Sequence, residues 1–335
     1  MKPALVETLK ALGDPLRLRI LALLGRAELA VGELAQVLDV AQPRVSHHLK
    51  LLKDCGLVRV RREGAWTFCA LERPGDGRVG PGVLQALGSL AEKDLRPTKG
   101  DIQRLEKVLE ARRQRSRAFF DAAAGRWESL EPRLKGSGLR HQALSFLVDP
   151  GKTLVDVGCG AGFMARVLAT RAGRVILVDH SPAMLEKARR ALEGKVPARL
   201  EFRVGEVDAL PLREGEAQGV FANLVLHHVP DLGKALAELV RVLDGGGTLV
   251  VSDLLPHQEE WLREEQADLR LGIDPEELAR LAERAGLEGV RYEEGADRIE
   301  LRGKGGRTAE LPLFLLGGRK ASPGKCGKTK KKTVS

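Results

Sequence analysis

The stretch VDVGCGAGFMA, from Val155 to Ala165, constrains the fold more than any other part of this 335-residue chain. Its apolar start predicts a buried strand, and Gly158, Gly160 and Gly162 predict a tight turn that leads into a helix. Glycine lets the backbone turn sharply and come into contact with a ligand at a helix N-terminus. The stretch therefore predicts an α/β domain with a nucleotide-like ligand at the turn.

The rest of the C-terminal half alternates between strand and helix patterns from about Thr153 onward. TLVDVG, RVILVD, RLEFRVG, GVFANLVL and GTLVVSDLL predict strands, and helices are predicted to begin at Phe163, Pro182 and Leu232. This alternation predicts a doubly wound, parallel Rossmann-like sheet. Asp179 ends the second strand, 23 residues after Asp156, where a carboxylate suits ribose hydroxyls. On these features alone a nicotinamide dinucleotide remains an open alternative.

The N-terminal region, VGELAQVLDVAQPRVSHHLKLLKDCGLVRVRREGAWTFCAL, predicts a helix, a turn, a second helix and a hairpin with Gly64 at its tip. The second helix turns Val45, Leu49 and Leu52 towards a core. Its opposite face carries groups suited to base edges and phosphates, namely Gln42, Arg44, Ser46, His47 and Lys50. Arg61 and Arg62 on the hairpin are predicted phosphate contacts. The order predicts an α+β winged helix-turn-helix domain that binds DNA.

LKALGDPLRLRILALL and QPRVSHHLKLLKDCGLV resemble the ArsR/SmtB-type winged-helix repressors over roughly residues 1–95. This resemblance implies a homodimer that binds operator DNA. Metal-sensing members carry a cysteine pair, as in ELCVCDL, but the matching stretch here is ELAVGEL. Soft metals need thiolate or imidazole ligands, so we expect no metal. The four cysteines, Cys55, Cys69, Cys159 and Cys326, have no paired spacing and are predicted to be reduced thiols.

VDVGCGAG, VDHSPAMLEKAR, VGEVDALPL, FANLVLHHVPD and LDGGGTLVVSD together resemble class I methyltransferases over roughly residues 115–290. The resemblance implies S-adenosylmethionine (SAM) or S-adenosylhomocysteine (SAH) as cofactor. It places Asp156 near the cofactor amine, Asp179 on the ribose and Met184 on the adenine. Glu206 and the backbone near Val207 would read the adenine edge, and Asn223 would approach the amino-acid end. The other predicted cofactor contacts are Phe120, Gly158, Cys159, Gly160, Gly162, His180 and His228.

Methyl transfer from a sulfonium depends largely on positioning, so it needs at most a weak general base. His227 and His228 are candidates for that base, and shaping of the pocket is the alternative interpretation of both. No other catalytic residue is predicted, and no acceptor is identified. The chain has neither an NPPY-like motif nor a cysteine trio of the arsenite-methylating kind. Methylation of DNA bases and of arsenite is therefore not expected.

The predicted domains are residues 1–96 for DNA binding and dimerisation, 97–130 for a connecting helix and cofactor lid, 131–318 for the methyltransferase-like domain and 319–335 for a disordered tail. The Gly- and Pro-rich stretch 72–82 predicts a linker, and a helix is predicted over Val83–Arg96. Of the net charge of +9, the tail holds +7 and residues 1–71 hold +4, which leaves −2 for the remainder. The chain has no run of eighteen apolar residues, so no membrane span and a cytoplasmic location are expected.

Two functional hypotheses follow. In the first, the protein is a repressor whose methyltransferase-like domain binds SAM or SAH as an effector and controls genes of the methionine and SAM cycle. The helix from Asp101 to Phe120 would couple the two domains. In the second, the chain is an active small-molecule methyltransferase with an attached DNA-binding domain.

Overall fold

The computed structural model describes residues 5–63, 66–72, 97–124 and 151–322, and the elements below are numbered among these. The chain divides into two compact units, Met1–Ser116 and Arg117–Ser335. Several predictions fall outside the described residues: the hairpin tip at Gly64, the linker after residue 72, the helix over Val83–Arg96, the lid residues 125–130 and the tail beyond residue 322.

The first unit contains the predicted helix-turn-helix and its hairpin. Its elements are α1 (Leu5–Leu12), α2 (Pro15–Leu24), β1 (Leu29–Ala30), α3 (Val31–Leu38), α4 (Gln42–Asp54), β2 (Val58–Glu63) and β3 (Trp66–Leu71). The strands form an antiparallel sheet in the order β1-β3-β2. Asp14 starts α2 by accepting hydrogen bonds from the amides of Leu16 and Arg17. Asp39, with φ 57°, makes the turn between α3 and α4.

The core of this unit follows the predicted helical periodicity. Val45, Leu49 and Leu52 of α4 are buried together with apolar residues of α2 and α3. Leu105 and Val108 of a long helix, α5 (Lys99–Ala124), belong to the same core. The N-terminal half of α5 is thus part of the DNA-binding unit, and the predicted domain boundary at residue 96 lies too early.

A buried carboxylate fixes the start of α5. Asp101 is fully buried and accepts hydrogen bonds from the guanidinium groups of Arg19 and Arg104. Asp101 and Thr98 also exchange hydrogen bonds between side chain and backbone amide, which caps the helix. Burial alone would raise the pKa of Asp101, but the hydrogen bonds from Arg19 and Thr98 outweigh it and lower the pKa.

The second unit is built on a seven-stranded sheet in the order β6-β5-β4-β7-β8-β10-β9. Its strands are β4 (Thr153–Val157), β5 (Arg174–Asp179), β6 (Arg199–Val204), β7 (Ala217–Asn223), β8 (Leu243–Leu254), β9 (Leu287–Arg302) and β10 (Thr308–Lys320). Its helices are α6 (Phe163–Leu168), α7 (Pro182–Leu192), α8 (Leu232–Val242), α9 (Trp261–Glu265) and α10 (Pro275–Arg284). The predicted Rossmann-like domain is confirmed, including the three predicted helix starts.

The sheet is mixed and not parallel throughout. β4 to β8 pair in parallel, as predicted, whereas β10 is antiparallel to both β8 and β9. Strands joined by a short turn pair antiparallel, and the turn between β9 and β10 spans only residues 303–307. The alternation of strands and helices after Thr153 gave no signal for this hairpin.

Two predicted boundaries are corrected by the structure. The strand predicted over GVFANLVL ends at Asn223, because Leu224 adopts a left-handed conformation with φ 52° and a 3-10 turn follows over Leu226–His228. The tail predicted from residue 319 begins at least two residues too early, since β10 continues to Lys320. The Lys320 ammonium donates hydrogen bonds to the carbonyls of Arg241 and Leu243, which fixes the end of the strand. Among the described residues, no helix is long and apolar enough to cross a membrane.

We expect Asp101→Ala to lower the free energy of unfolding of the first unit by about 2–4 kcal/mol, because it leaves two partly buried guanidinium groups without their carboxylate. Glu110→Ala is the matched control, since it removes an exposed ion pair with Arg113 from the same helix and should cost less than about 1 kcal/mol. Urea unfolding followed by circular dichroism measures both variants. Equal losses would show that the buried pair is worth no more than the exposed one.

Candidate functional site

The predicted DNA-reading residues lie on one solvent-facing side of α4. Val45, His48, Leu49 and Leu52 are buried on the other side. The exposed residues are those predicted from the sequence, namely Gln42, Arg44, Ser46, His47 and Lys50. This separation leaves hydrogen-bonding and basic groups free to enter a major groove.

The two predicted arginines of the hairpin differ in their surroundings. Arg62 is exposed, but Arg61 is held within its own domain. The Arg61 guanidinium lies 3.4 Å from Glu28 Oε2 and 5.0 Å from the centre of the Phe68 ring. Arg61 therefore has partners within its own domain, and its contact with phosphate stays a prediction. The sequence analysis missed Trp66, whose side chain stacks on Phe68 and is 48% exposed.

The glycine loop follows β4, as predicted. Gly158, Gly160 and Gly162 have φ of 68°, 50° and 85°, a region that favours glycine. A Cβ on Gly158 would come within 2.3 Å of Val225 Cγ2, and one on Gly162 within 2.7 Å of Leu192 Cδ1. Gly158 and Gly162 are thus required by the packing of the protein itself, in addition to any approach to a ligand.

Asp179 ties this loop to the helix that follows the next strand. Its carboxylate accepts hydrogen bonds of 2.9 Å from the backbone amides of Gly160 and Ser181. His180 Nδ1 lies 3.4 Å from the same carboxylate, and burial raises the pKa of Asp179. A carboxylate oxygen can accept more than one hydrogen bond, so this arrangement leaves capacity for the predicted ribose hydroxyls.

Asp156, near the end of β4, has an oxygen that the domain does not satisfy. Its side chain is buried, and in the described part of the chain its Oδ2 has no hydrogen-bond partner. Burial raises the pKa of Asp156 to about 7. An unsatisfied buried acceptor is costly, so a cationic or hydrogen-bonding ligand would be stabilised here. The ammonium group of an amino-acid-bearing cofactor fits this position.

The last two turns of α5 lie over the same edge of the sheet. The Phe120 ring meets the rings of His180 and His228 edge to face, with centroids 5.3 and 5.0 Å apart. Asp121 accepts a hydrogen bond from the Ser181 hydroxyl, and Lys187 Nζ donates to the carbonyl of Ala124 at 2.6 Å. These contacts agree with the position expected for a lid.

The remaining predicted cofactor residues lie at or near the carboxyl ends of β4 to β7. Met184 is fully buried beneath Ala123 and Ala124, so its contact with an adenine stays a prediction. Glu206 Oε1 lies 3.4 Å from the Arg117 guanidinium, and Val207 is half-buried. Asn223 is the last residue of β7 and pairs with Ser252 of β8. Cys159, in the glycine loop, is buried, and burial raises the pKa of its thiol well above the ordinary value. A crevice at the carboxyl ends of parallel strands is where α/β sheets bind ligands.

Two carboxylates that no sequence motif marks, Asp253 and Asp268, surround the predicted His227 and His228. His227 Nδ1 lies 2.5 Å from Asp253 Oδ1, and His227 Nε2 lies 3.7 Å from Asp268 Oδ1. Burial lowers the pKa of His227, but Asp253 and Asp268 outweigh it and raise the pKa to about 9. Burial lowers the pKa of His228 well below its ordinary value. The pKa values of the two neighbouring imidazoles are therefore shifted in opposite directions.

Comparisons with known proteins match both units. The family model "Bacterial regulatory protein, arsR family" matches residues 14–60, and the model "Methyltransferase domain" matches residues 155–251. The HTH-type transcriptional regulator MJ1325 of Methanocaldococcus jannaschii is 46% identical over 63 residues, which cover 18% of this chain and 71% of that protein. The C-methyltransferase UbiE of Acidiphilium cryptum is 30% identical over 215 residues, which cover 54% of this chain and 86% of that protein.

The structural comparison gives the fold of the second unit. An N-methyltransferase of Haemonchus contortus, solved with phosphomonomethylethanolamine and SAH, superimposes with a TM-score of 0.50 at 16% identity and covers 62% of this chain and 61% of its own. Three further curated relatives are covered over only 28–65% of their own length. The likeness therefore concerns the domains and not the activity of a whole protein.

A methyltransferase domain takes its methyl group from SAM and leaves SAH, so the cofactor prediction is confirmed for the domain. The contacts predicted for individual residues stay predictions. The chain belongs to the arsR family of bacterial regulatory proteins through its N-terminal unit and to the SAM-dependent methyltransferases through its C-terminal unit.

Proposed function

We propose that the protein is a transcriptional repressor that binds operator DNA as a homodimer and uses its methyltransferase domain to sense SAM or SAH. The observation that carries this proposal is the course of α5. This 26-residue helix crosses the boundary between the two units after Ser116, and each of its ends is anchored by polar contacts. A helix fixed in this way can carry a change at one end to the other.

The N-terminal part of α5 holds both ends of α3, the first helix of the helix-turn-helix. Arg112 Nε donates to Glu33 Oε1 at 2.6 Å, and the same carboxylate accepts from the Ala30 amide at the start of α3. Arg104 Nε donates to the carbonyl of Val37 near the end of α3, also at 2.6 Å. A shift of α5 would therefore move α3, and α3 packs against the DNA-reading helix α4.

The C-terminal part of α5 rests on the segment that follows Asp179. Phe120 contacts His180, and Asp121 is hydrogen-bonded to Ser181. A ligand whose ribose occupies Asp179 would therefore act on the residues that hold the end of α5. A coupling free energy of about 1–3 kcal/mol between two sites changes an affinity by about 5–150-fold. Such a change is enough to regulate transcription.

The choice between SAM and SAH concerns one methyl group and one positive charge on sulfur. Methyltransferase pockets commonly bind the product SAH at least as tightly as SAM, so a domain of this kind is suited to sensing the concentration of SAH. The resemblance to SAH-responsive regulators of the arsR type supports control of genes in the methionine and SAM cycle. The dimer and these target genes are parts of the same proposal.

An active methyltransferase is the second candidate, and one observation favours it. The His228 ring lies beside Phe120, with the ring centroids 5.0 Å apart, at the carboxyl end of the sheet. An imidazole there could accept the proton that an O–H or N–H acceptor releases as its oxygen or nitrogen takes the methyl group from SAM. Release of SAH from SAM during incubation with a cell extract depleted of other methyltransferases distinguishes turnover from binding alone.

We expect SAM or SAH to change the affinity of the full chain for its own upstream DNA at least about fivefold. Salt must be held constant, because phosphate contacts make the affinity strongly salt-dependent. Fluorescence anisotropy with the two ligands titrated separately gives the change, and a scrambled DNA fragment is the control. If both ligands bind but neither changes the DNA affinity, the sensor proposal is wrong.

Ala118→Pro should uncouple the two units. Ala118 is exposed, and proline there removes a hydrogen bond of α5 and breaks the helix just beyond the unit boundary. Binding of DNA and of SAH should each persist, while the effect of SAH on DNA binding is lost. Ala118→Gln, which keeps the helix, should preserve the effect. Coupling that survives in Ala118→Pro would exclude α5 as its route.

The affinity for SAH should rise with pH through the pKa of Asp156, which burial raises to about 7. The ammonium group of SAH pairs with the ionised carboxylate, and that form predominates only above this pKa. Between pH 6 and pH 8 we expect a gain of about tenfold, measured by isothermal titration calorimetry. Asp156→Asn should bind more weakly at pH 8 and lose the pH dependence. A variant that keeps the pH dependence would place the titrating group elsewhere.

A further inference from the structure

A group of imidazoles and carboxylates lies at the carboxyl ends of β7 and β8. His227 and His228 occupy the 3-10 turn after β7, and Asp253 lies near the end of β8. Asp268 follows α9 along the chain. The backbone amides of Leu269 and Arg270 both donate to the carbonyl of His227, which holds the segment with Asp268 against the turn.

The potential ligand atoms of His227, His228 and Asp268 all lie within 4.8 Å of one another. His227 Nε2 and His228 Nδ1 lie 3.7 and 3.8 Å from Asp268 Oδ1, too far for hydrogen bonds. The carbonyl oxygen of Ala267 lies 3.2 Å from His228 Nδ1. Two ligands bound at about 2.1 Å to one ion are about 3.0–3.4 Å apart at octahedral or tetrahedral angles. Small side-chain movements would therefore complete a coordination shell.

The environment of the group is also that of a metal centre. His227 and Asp268 are buried, and His228 is largely so. Asp253 Oδ1 accepts a hydrogen bond from Nδ1–H of His227, so Nε2 of that ring can bind an ion once it has released its own proton, as in carboxylate–histidine–metal arrangements. Arg263 is the nearby cation, and it donates to the carbonyl of Leu269 and to Glu260.

The backbone around the group is strained. Ala267, directly before Asp268, has φ 60°, and Leu224, three residues before His227, has φ 52°. Neither is glycine, and strained residues of this kind are concentrated at functional sites. In addition, His257 Nε2 is buried and, in the described ranges, has no hydrogen-bond partner.

The geometry points to a binding site for one divalent transition-metal ion, such as Zn²⁺, held by His227 Nε2, His228 Nδ1, the Asp268 carboxylate and the Ala267 carbonyl. Imidazole nitrogens with a carboxylate suit Zn²⁺ and its neighbours in the first transition row better than Mg²⁺ or Ca²⁺. On binding, Nδ1 of His228 holds the ion and the ring proton resides on Nε2. This inference departs from the expectation of no metal, which rested on the missing cysteine pair in the N-terminal region, and it does not rest on the proposed sensing of SAM or SAH.

Titration of the chelator-treated full chain with Co²⁺, followed by visible absorption and by equilibrium dialysis, tests the site. We expect one Co²⁺ per chain, displaced by Zn²⁺ and not by Mg²⁺, with a spectrum free of thiolate charge-transfer bands. Asp268→Asn should lower the affinity at least about tenfold, and Asp253→Asn, which acts through His227, should lower it about 10–100-fold. Glu264→Gln, an exposed carboxylate in the same segment, should change nothing.

Circular dichroism and thermal melting in chelator establish that each variant is folded. Should Asp268→Asn fail to fold, the wild-type protein still decides the matter, because a spectrum with thiolate bands would place the ion on cysteine. Absence of saturable uptake of one Co²⁺ per chain would overturn the inference. So would uptake that a folded Asp268→Asn variant leaves unchanged.

Discussion

Helix α5 is held near its start by a carboxylate that has lost all contact with water. Taking the charge of Asp101 out of water is costly, and only its hydrogen bonds to Arg19, Arg104 and Thr98 offset that cost. Because the three partners come from α2, from α5 and from the segment before it, the carboxylate fixes the start of α5 within the first unit. A second anchor, the ion pair between Arg112 and Glu33, holds α5 against the start of α3. The N-terminal part of α5 is therefore fixed at two points of the first unit.

The ligand crevice illustrates a different use of buried charge. Asp179 is satisfied by the protein itself, so it orders the glycine loop before any ligand arrives. Asp156 Oδ2 has no hydrogen-bond partner among the described residues, so a donor that binds there removes the cost of burying an unsatisfied oxygen. One carboxylate therefore orders the loop, and the other has an oxygen that can accept a further hydrogen bond.

Local patterns in the sequence were sufficient for the elements that depend on local physics. The glycine loop, the helix starts at Phe163, Pro182 and Leu232 and the two faces of α4 follow from periodicity and turn residues, and the structure has them where the sequence predicts them. Contacts between residues that are distant in the sequence could not be predicted from these local patterns. Arg61 on the hairpin pairs with Glu28, and Val225 explains why position 158 must be glycine.

The carboxylate partners of the site histidines could not be predicted from local patterns either. Asp253 and Asp268 carry no motif that marks them as partners of His227, because a loop after α9 brings Asp268 back to the turn after β7. The hairpin of β9 and β10 was missed for a related reason. Its register with β8 depends on contacts between residues more than fifty positions apart, such as Leu313 with Leu254.

The position of β10 has a consequence for how the protein is made. β10 lies between β8 and β9 in the sheet, although it is the last of the seven strands to be synthesised. On the ribosome, the second unit must therefore wait for residue 320 before its sheet can close, with the edge of β8 exposed until then. The first unit has all of its residues by position 116 and can fold much earlier. Roughly two hundred residues are synthesised between the last residue of the first unit and the end of β10. At ordinary rates of translation this interval lasts about 10–40 s, during which the DNA-reading surface can already be folded.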